Sequence, residues 1–159
     1  MIHKFTGVDP GLVHTGVVVF RLAPDARRWG VQSTAIAGLD IQELARFLGE
    51  EAPYGPIFVE AYRPRSHFST DQQMVEGMGR IRKINNQITV LNNTGVKAVV
   101  KPGLLSLMNA WNFSLSTHHQ DLRSAARIGV LGALKDERLN QVLTNFVTDH
   151  LDGRYWNYI

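Results

Sequence analysis

The stretch Thr6-Gly7-Val8-Asp9-Pro10-Gly11, followed by Leu12-Val13-His14-Thr15-Gly16 and the apolar run Val17-Val18-Val19-Phe20, decides the fold. An apolar run carries a carboxylate to its end, a Pro-Gly pair turns the chain, and a second apolar run returns. Runs punctuated in this way read as two strands of a hairpin. Asp9 is the unusual residue, because a carboxylate at the mouth of a buried strand is costly to desolvate. Two readings are open at this point. Asp9 is a turn aspartate that accepts backbone N–H groups, or it is a ligand of a divalent cation, since hard cations take carboxylate oxygens. A second and a third carboxylate at matching places would decide.

Working outward, Trp29 to Ile36 reads as a third strand, so the opening of the chain is an antiparallel meander. Asp40 is placed to cap a helix in which Ile41, Leu44, Ala45 and Leu48 recur at helical spacing, and Pro53 to Pro56 ends it. Ile57-Phe58-Val59-Glu60 follows. Its consecutive apolar residues predict a strand buried on both faces, as in the middle of a mixed sheet. Glu60 ends that strand as Asp9 ends the first, so neighbouring strands would set the two carboxylates side by side. The alternative is a strand-end Glu paired with Arg63 or Arg65. The segment Tyr62-Arg63-Pro64-Arg65-Ser66-His67-Phe68 interleaves basic and aromatic residues, which suits phosphates and exposed bases and equally suits a solvated loop.

Ser69-Thr70-Asp71-Gln72 has capping-box spacing and predicts the start of the longest helix. Met74, Met78, Ile81, Ile84, Ile88 and Leu91 form its apolar stripe. Arg80, Arg82 and Lys83 lie beside the stripe, and Gly77 and Gly79 lie inside it. That stripe looks too long for one small sheet, which makes this helix the candidate interface of a dimer. Val96-Lys97-Ala98-Val99-Val100 reads as a short strand before Lys101-Pro102-Gly103. Strand, helix and strand then form a crossover unit with a parallel pair. Leu104 to Leu115 is expected to be a short helix and loop. Thr117 and Gln120 make a second capping box, which puts His118 and Asp121 three residues apart on one helix face. Ala125, Gly129 and Gly132 continue that face with small residues, so this helix can lie close against the sheet. Asp136 to Leu151 predicts a last amphipathic helix, and the aromatic tail Tyr155 to Ile159 packs down or forms a contact surface.

Composition sets the limits. At 159 residues the expectation is one domain, 1–159, with a full core. There is no cysteine, which excludes disulfides and thiolate metal sites. Met1 to Lys4 runs straight into the first strand, so the expectation is no signal peptide, and no apolar stretch reaches membrane-spanning length. The expected location is cytoplasmic, without a membrane partner. Lys and Arg outnumber Asp and Glu by 17 to 14, a mild excess that permits a polyanionic partner.

Taken together, these residues resemble the RuvC family of Holliday-junction resolvases. Asp9-Pro10-Gly11 followed by Thr15-Gly16 is similar to that family's opening signature, and Ile57 to Glu60 to its second acidic strand. His118-x-x-Asp121 on a small-residue helix is similar to its closing pair, which is Asp-x-x-Asp in some members. The likeness runs over residues 1 to about 135, and the compact chain suggests a phage-encoded member, hence a host cytoplasm. It implies an α/β, RNase H-like fold. That fold has a mixed five-stranded sheet, an antiparallel meander then parallel strands, with helices on both faces. It also implies a homodimer that cuts branched DNA, the four-way junction, with Mg²⁺ or Mn²⁺ and no nucleotide cofactor. The implied active site is Asp9, Glu60, His118 and Asp121, which are also the implied metal ligands. Candidate DNA contacts are Arg63, Arg65, Phe68, Arg80, Lys83 and Lys101. Two departures stand out. Arg63 occupies the place where many members have an aromatic residue at the junction crossover, and the family's Gly- and Lys-containing segment is poorly matched beyond Lys101.

The chemistry fits the same constellation. Phosphodiester hydrolysis needs a water made nucleophilic and charge stabilised on attacking and leaving oxygens, which two cations about 3.5–4 Å apart supply. Asp9 suits a bridging ligand, and Glu60 and Asp121 flanking ones. His118 is a nitrogen ligand or a proton relay, and the sequence leaves both roles open. Competing readings are another RNase H-like nuclease that cuts flaps or RNA–DNA hybrids, an actin-like ATPase and a non-catalytic DNA-binding relative. The ATPase needs two such halves and a Gly-rich nucleotide segment for which the chain lacks room.

Overall fold

The computed structural model describes residues 1–37, 40–64, 68–84, 87–113 and 119–159, and of residues 37 and 68–70 the backbone alone. The hairpin is present: β1 (His3–Asp9) and β2 (His14–Ala23) pair antiparallel from His3↔Leu22 to Asp9↔Gly16. Thr15 locks the turn between them. Its hydroxyl donates to the Gly11 carbonyl at 3.2 Å and accepts from the Gly11 N–H at 3.3 Å. β3 (Arg28–Ala37) completes the meander on β2. Asp40 caps α1 (Ile41–Glu51) by accepting from the Gln42 N–H at 2.6 Å. β4 (Ile57–Glu60) then returns to the middle of the sheet, parallel to β1.

Two expectations for the next segment are corrected. The helix does not run from Ser69 to Leu91. α2 is Phe68–Arg82, its end tightens into i→i+3 bonds from Lys83 to Arg80 and Ile84 to Ile81, and Ile88–Leu91 is a strand, β5, parallel to β4. Helical spacing carries through Ile84, Ile88 and Leu91. However, Ile88-Thr89-Val90 is β-branched and alternates between buried, exposed and half-buried, so sheet pairing wins. Val96 to Val100 is correspondingly no strand. Val96 and Val100 are buried while the residues between them are exposed, a helical spacing, and Val96–Val99 is one turn, α3. α4 (Pro102–Leu107) follows. The longest helix among the described residues is then α5 (His119–Lys135), followed by α6 (Glu137–Leu151), which Asp136 caps.

Among the described residues the sheet has six strands rather than five, in the order β5-β4-β1-β2-β3-β6. The added strand, β6 (Asn157–Tyr158), lies parallel to β3 because buried Trp156 anchors the tail, its indole N–H donating to Asp149 at 2.8 Å.

Strand period two splits the core between the faces. Val18, Phe20 and Phe58 point to the layer of α3 to α6, whereas Val17, Ile57 and Val59 point to α1 and α2. Met74, Met78 and Ile81 are buried in that second layer, and a Cβ at Gly77 would run into Ile41. The α2 stripe is therefore covered inside one chain by α1 and the sheet and is not a free dimer face. Among the described residues, no helix is long and apolar enough to cross a membrane.

Candidate active site

The register of the sheet brings the carboxylates together. Val8 lies beside Val59 in the parallel pair, and the next residue on each strand is Asp9 and Glu60. Asp9 also faces Gly16 across the hairpin. A Cβ at Gly16 would stand 2.8 Å from the Asp121 carbonyl carbon, so the first turn of α5 rests directly on that glycine. Asp121 thus stands over the start of β2, on the residue that pairs with Asp9. Further along, Gly129 packs its backbone on Gly7, where an added Cβ would meet the Gly7 Cα at 3.0 Å. Glycine is required at these approaches because nothing larger leaves room for the helix.

Electrostatics link Asp9 to the other two acids. Asp9 shares a side-chain hydrogen bond with Glu60, and its pKa is pushed up to about 8. Burial is the largest cause, followed by the hydrogen bond and charge of Glu60 and then the charge of Asp121. Asp9 therefore keeps its proton beside Glu60, and the charge of Asp121 adds to the effect. Glu60 is further oriented by Asn93, whose amide donates to its Oε1. Among the described residues, no three His, Asp or Glu side chains are grouped tightly enough to form a metal cage. The contacting pair is Asp9 and Glu60, with Asp121 within electrostatic reach. The chemistry of the set still suits a hard cation: carboxylates crowded around Asp9 are what a divalent ion relieves.

The remaining sequence candidates divide. His118 and Arg65 lie outside the described residues, as does the side chain of Phe68. Arg63 is exposed and donates to Asn92 Oδ1 at 2.7 Å and to the Thr94 hydroxyl. Asn92 to Thr94 therefore ties Arg63 and Glu60 to one loop, so Arg63 sits at the carboxylate end of the sheet without pairing to Glu60. Arg80 and Lys83 are not brought there. α2 leaves from the carboxylate end and returns to the start of β5, where the Gln87 carbonyl meets the Ile57 N–H at 2.9 Å. Arg80 is about 18 Å of helix away from Phe68. Lys101 is exposed at the head of α4.

Sequence reasoning missed Asn93 and a basic group on α5. Arg123 stacks on Trp111 with its guanidinium carbon 4.0 Å from the ring centre and donates to the Trp111 carbonyl at 2.7 Å. Arg127 lies 5.2 Å from the same ring. The available signal was spacing, since Arg127 follows Asp121 by under two turns.

No family model and no curated protein matches this sequence. Solved structures do. RuvC of Thermus thermophilus in complex with Holliday junction substrate superposes with a TM-score of 0.54 at 11% identity, over 80% of this chain and 90% of that one. A second Thermus thermophilus RuvC structure gives a TM-score of 0.51 at 12% identity, over 81% and 96%. The chain thus has an RNase H-like fold of the RuvC type.

Proposed function

We propose that this protein is a metal-dependent endonuclease for branched DNA, residues 1–159 acting as one nuclease domain that cuts the four-way junction with paired symmetric nicks. The observation that carries this reading is the convergence of Asp9, Glu60 and Asp121 at one end of a RuvC-type sheet. One Thermus thermophilus RuvC structure is a complex with Holliday junction substrate, which supports the choice of substrate. Asp9, Glu60, Asp121 and His118 would hold Mg²⁺ or Mn²⁺, two ions per site, with Asp9 shared. Bound there, the ions would make water nucleophilic and stabilise charge on the attacking and leaving oxygens.

The chain's own residues contribute position. The hydrogen bond from Asn93 fixes which oxygen Glu60 presents. The contact at Gly16 fixes the height of Asp121. Partial burial of Asp9 strengthens its charge interactions at the site. Arg63, Arg65, Phe68 and Lys101 are the candidate strand contacts, whereas the opposite end of the sheet takes Arg80 and Lys83 out of the immediate site. Symmetric cutting needs two active sites related by a two-fold axis, hence a homodimer, whose interface is not the buried α2 stripe.

A gel with junction, flap, RNA–DNA hybrid and plain duplex tests the reading, each with Mg²⁺ or Mn²⁺. Paired nicks in the junction are expected, lost in Asp9→Asn, Glu60→Gln and Asp121→Asn while junction binding persists, because binding rests on phosphate contacts. Preferential cutting of hybrid or flap would move the substrate within the RNase H-like nucleases. Wild-type rates in Glu60→Gln would overturn the carboxylate assignment. Light scattering of the junction complex reads the dimer.

A further inference from the structure

Beside Glu60 lies a cleft of about 50 Å³ whose polar lining is Glu60, Asn93, Lys97, Ser124 and Arg127. None of the last three has a role in the carboxylate cluster. Arg127 is the informative one. Trp111 holds its guanidinium from one side, and the Nε is buried with no hydrogen-bond partner among the described residues. Arg123, on the same ring, is engaged with the Trp111 carbonyl, so it anchors the loop while Arg127 is left aimed at the cleft. Glu60 shares the cleft, yet it takes its hydrogen bond from Asn93 and forms no ion pair with Arg127. Burial and the like charge of Arg123 act against the charge on Arg127 and outweigh the support it draws from the charge of Glu60. A partly dry, oriented cation with an unused donor calls for an anion.

The geometry points to a phosphate subsite: Arg127, Ser124 and Lys97 seat a backbone phosphate adjoining the phosphodiester that faces Asp9 and Glu60. This rests on the nuclease reading and gives that site its strand register. A guanidinium fork matches phosphate oxygens two at a time, a serine hydroxyl adds a donor, and an ammonium adds charge. The cleft is too small for a nucleobase with its sugar. Glu60 at its edge repels a free anion, which favours a phosphate delivered by a strand already bound elsewhere, at high effective concentration.

Methylphosphonate scanning tests it. Single neutral linkages are walked along the junction strand, and binding is read by fluorescence anisotropy in EDTA and in Ca²⁺. Wild type should lose roughly tenfold in affinity at one position. Arg127→Gln should lose that sensitivity and no other, and Arg127→Lys should keep part of it. A merely structural role would not remove one position. Circular dichroism checks the fold of Arg127→Gln, with Ser124→Ala as the second variant. If Arg127→Gln and Ser124→Ala respond to every linkage as wild type does, the subsite is overturned. Absence of a sensitive position in wild type, or of DNA binding altogether, also overturns the strand assignment. Phosphate protection against melting, measured against chloride at matched ionic strength and present in wild type alone, would then assign the cleft to free phosphate. A position-specific loss in a protein that cuts none of the four substrates would sustain the subsite and sink the nuclease reading alone.

Discussion

Replacing Asp9 by Asn should make the metal-free protein more stable, and more so as pH rises. The folded carboxyl releases its proton at about pH 8 and the unfolded one at 3.8. Between those values the fold holds a proton that the unfolded chain has lost. The stability it contributes is fully present below 3.8 and disappears as pH climbs through 8. At roughly 1.36 kcal/mol per unit, four units amount to about 5 kcal/mol. Asp9 is hydrogen-bonded to Glu60 and the cost belongs to the pair, so about half, ~3 kcal/mol, is expected from the substitution at pH 8. At about 2–4 °C per kcal/mol for a chain of this size, Tm rises by roughly 6–12 °C. At pH 5 only about 1.2 of those units have been lost, and the gap between variant and wild type shrinks to roughly 1 kcal/mol. Calorimetry in EDTA at pH 5 and pH 8 reads both values, and added Mg²⁺ should narrow the gap at pH 8 by stabilising wild type alone. An Asp9→Asn protein no more stable than wild type at pH 8, or a gap independent of pH, would refute the picture of three crowded acids.

Four further outcomes follow from the packing and polar contacts. Met78→Glu should abolish folding or cost about 3–5 kcal/mol in urea denaturation, because Met78 is buried under α1; a stable monomer would restore the interface reading. Thr15→Val should cost about 1–2 kcal/mol through the two lost bonds to Gly11, read by chemical denaturation, and should lower cleavage by loosening the turn after Asp9. Asn93→Ala should slow cleavage roughly tenfold or more with little change in junction affinity, read as kcat against Kd, since it frees Glu60. Arg63→Ala combined with Arg65→Ala should weaken junction binding and flatten its salt dependence in a titration series.

The site was legible where chemistry sits at the end of a strongly patterned element. Asp9 and Glu60 terminate apolar strands, so alternation placed them and parallel pairing brought them together. The capping Asp40 was equally readable, because a cap is a local event. Errors fell where helix and strand spacing coincide. Ile84, Ile88 and Leu91 satisfy a helical stripe, and only the pairing of Ile88 with Ile57 overrides it. The tail strand was unreadable for another reason: two residues have no period, and their pairing depends on Trp156 reaching Asp149. Arg127 and Asn93 acquire meaning only through neighbours distant in sequence, on β4 and in the loop holding Trp111.

The glycine contacts of α5 have a consequence for how this protein can change. With backbone lying on backbone at Gly7 and Gly129, and again at Gly16, no compressible side chain separates the helix from the sheet. The height of Asp121 above Asp9 is therefore set by a short, stiff chain of contacts, like parts seated metal to metal without a gasket. Substitutions among Phe146, Leu143, Met74 or Leu44 can alter stability and shift the outer helices before that seating feels them. Such a chain can drift far in sequence on both outer layers and keep its carboxylates in register, provided those few glycines stay.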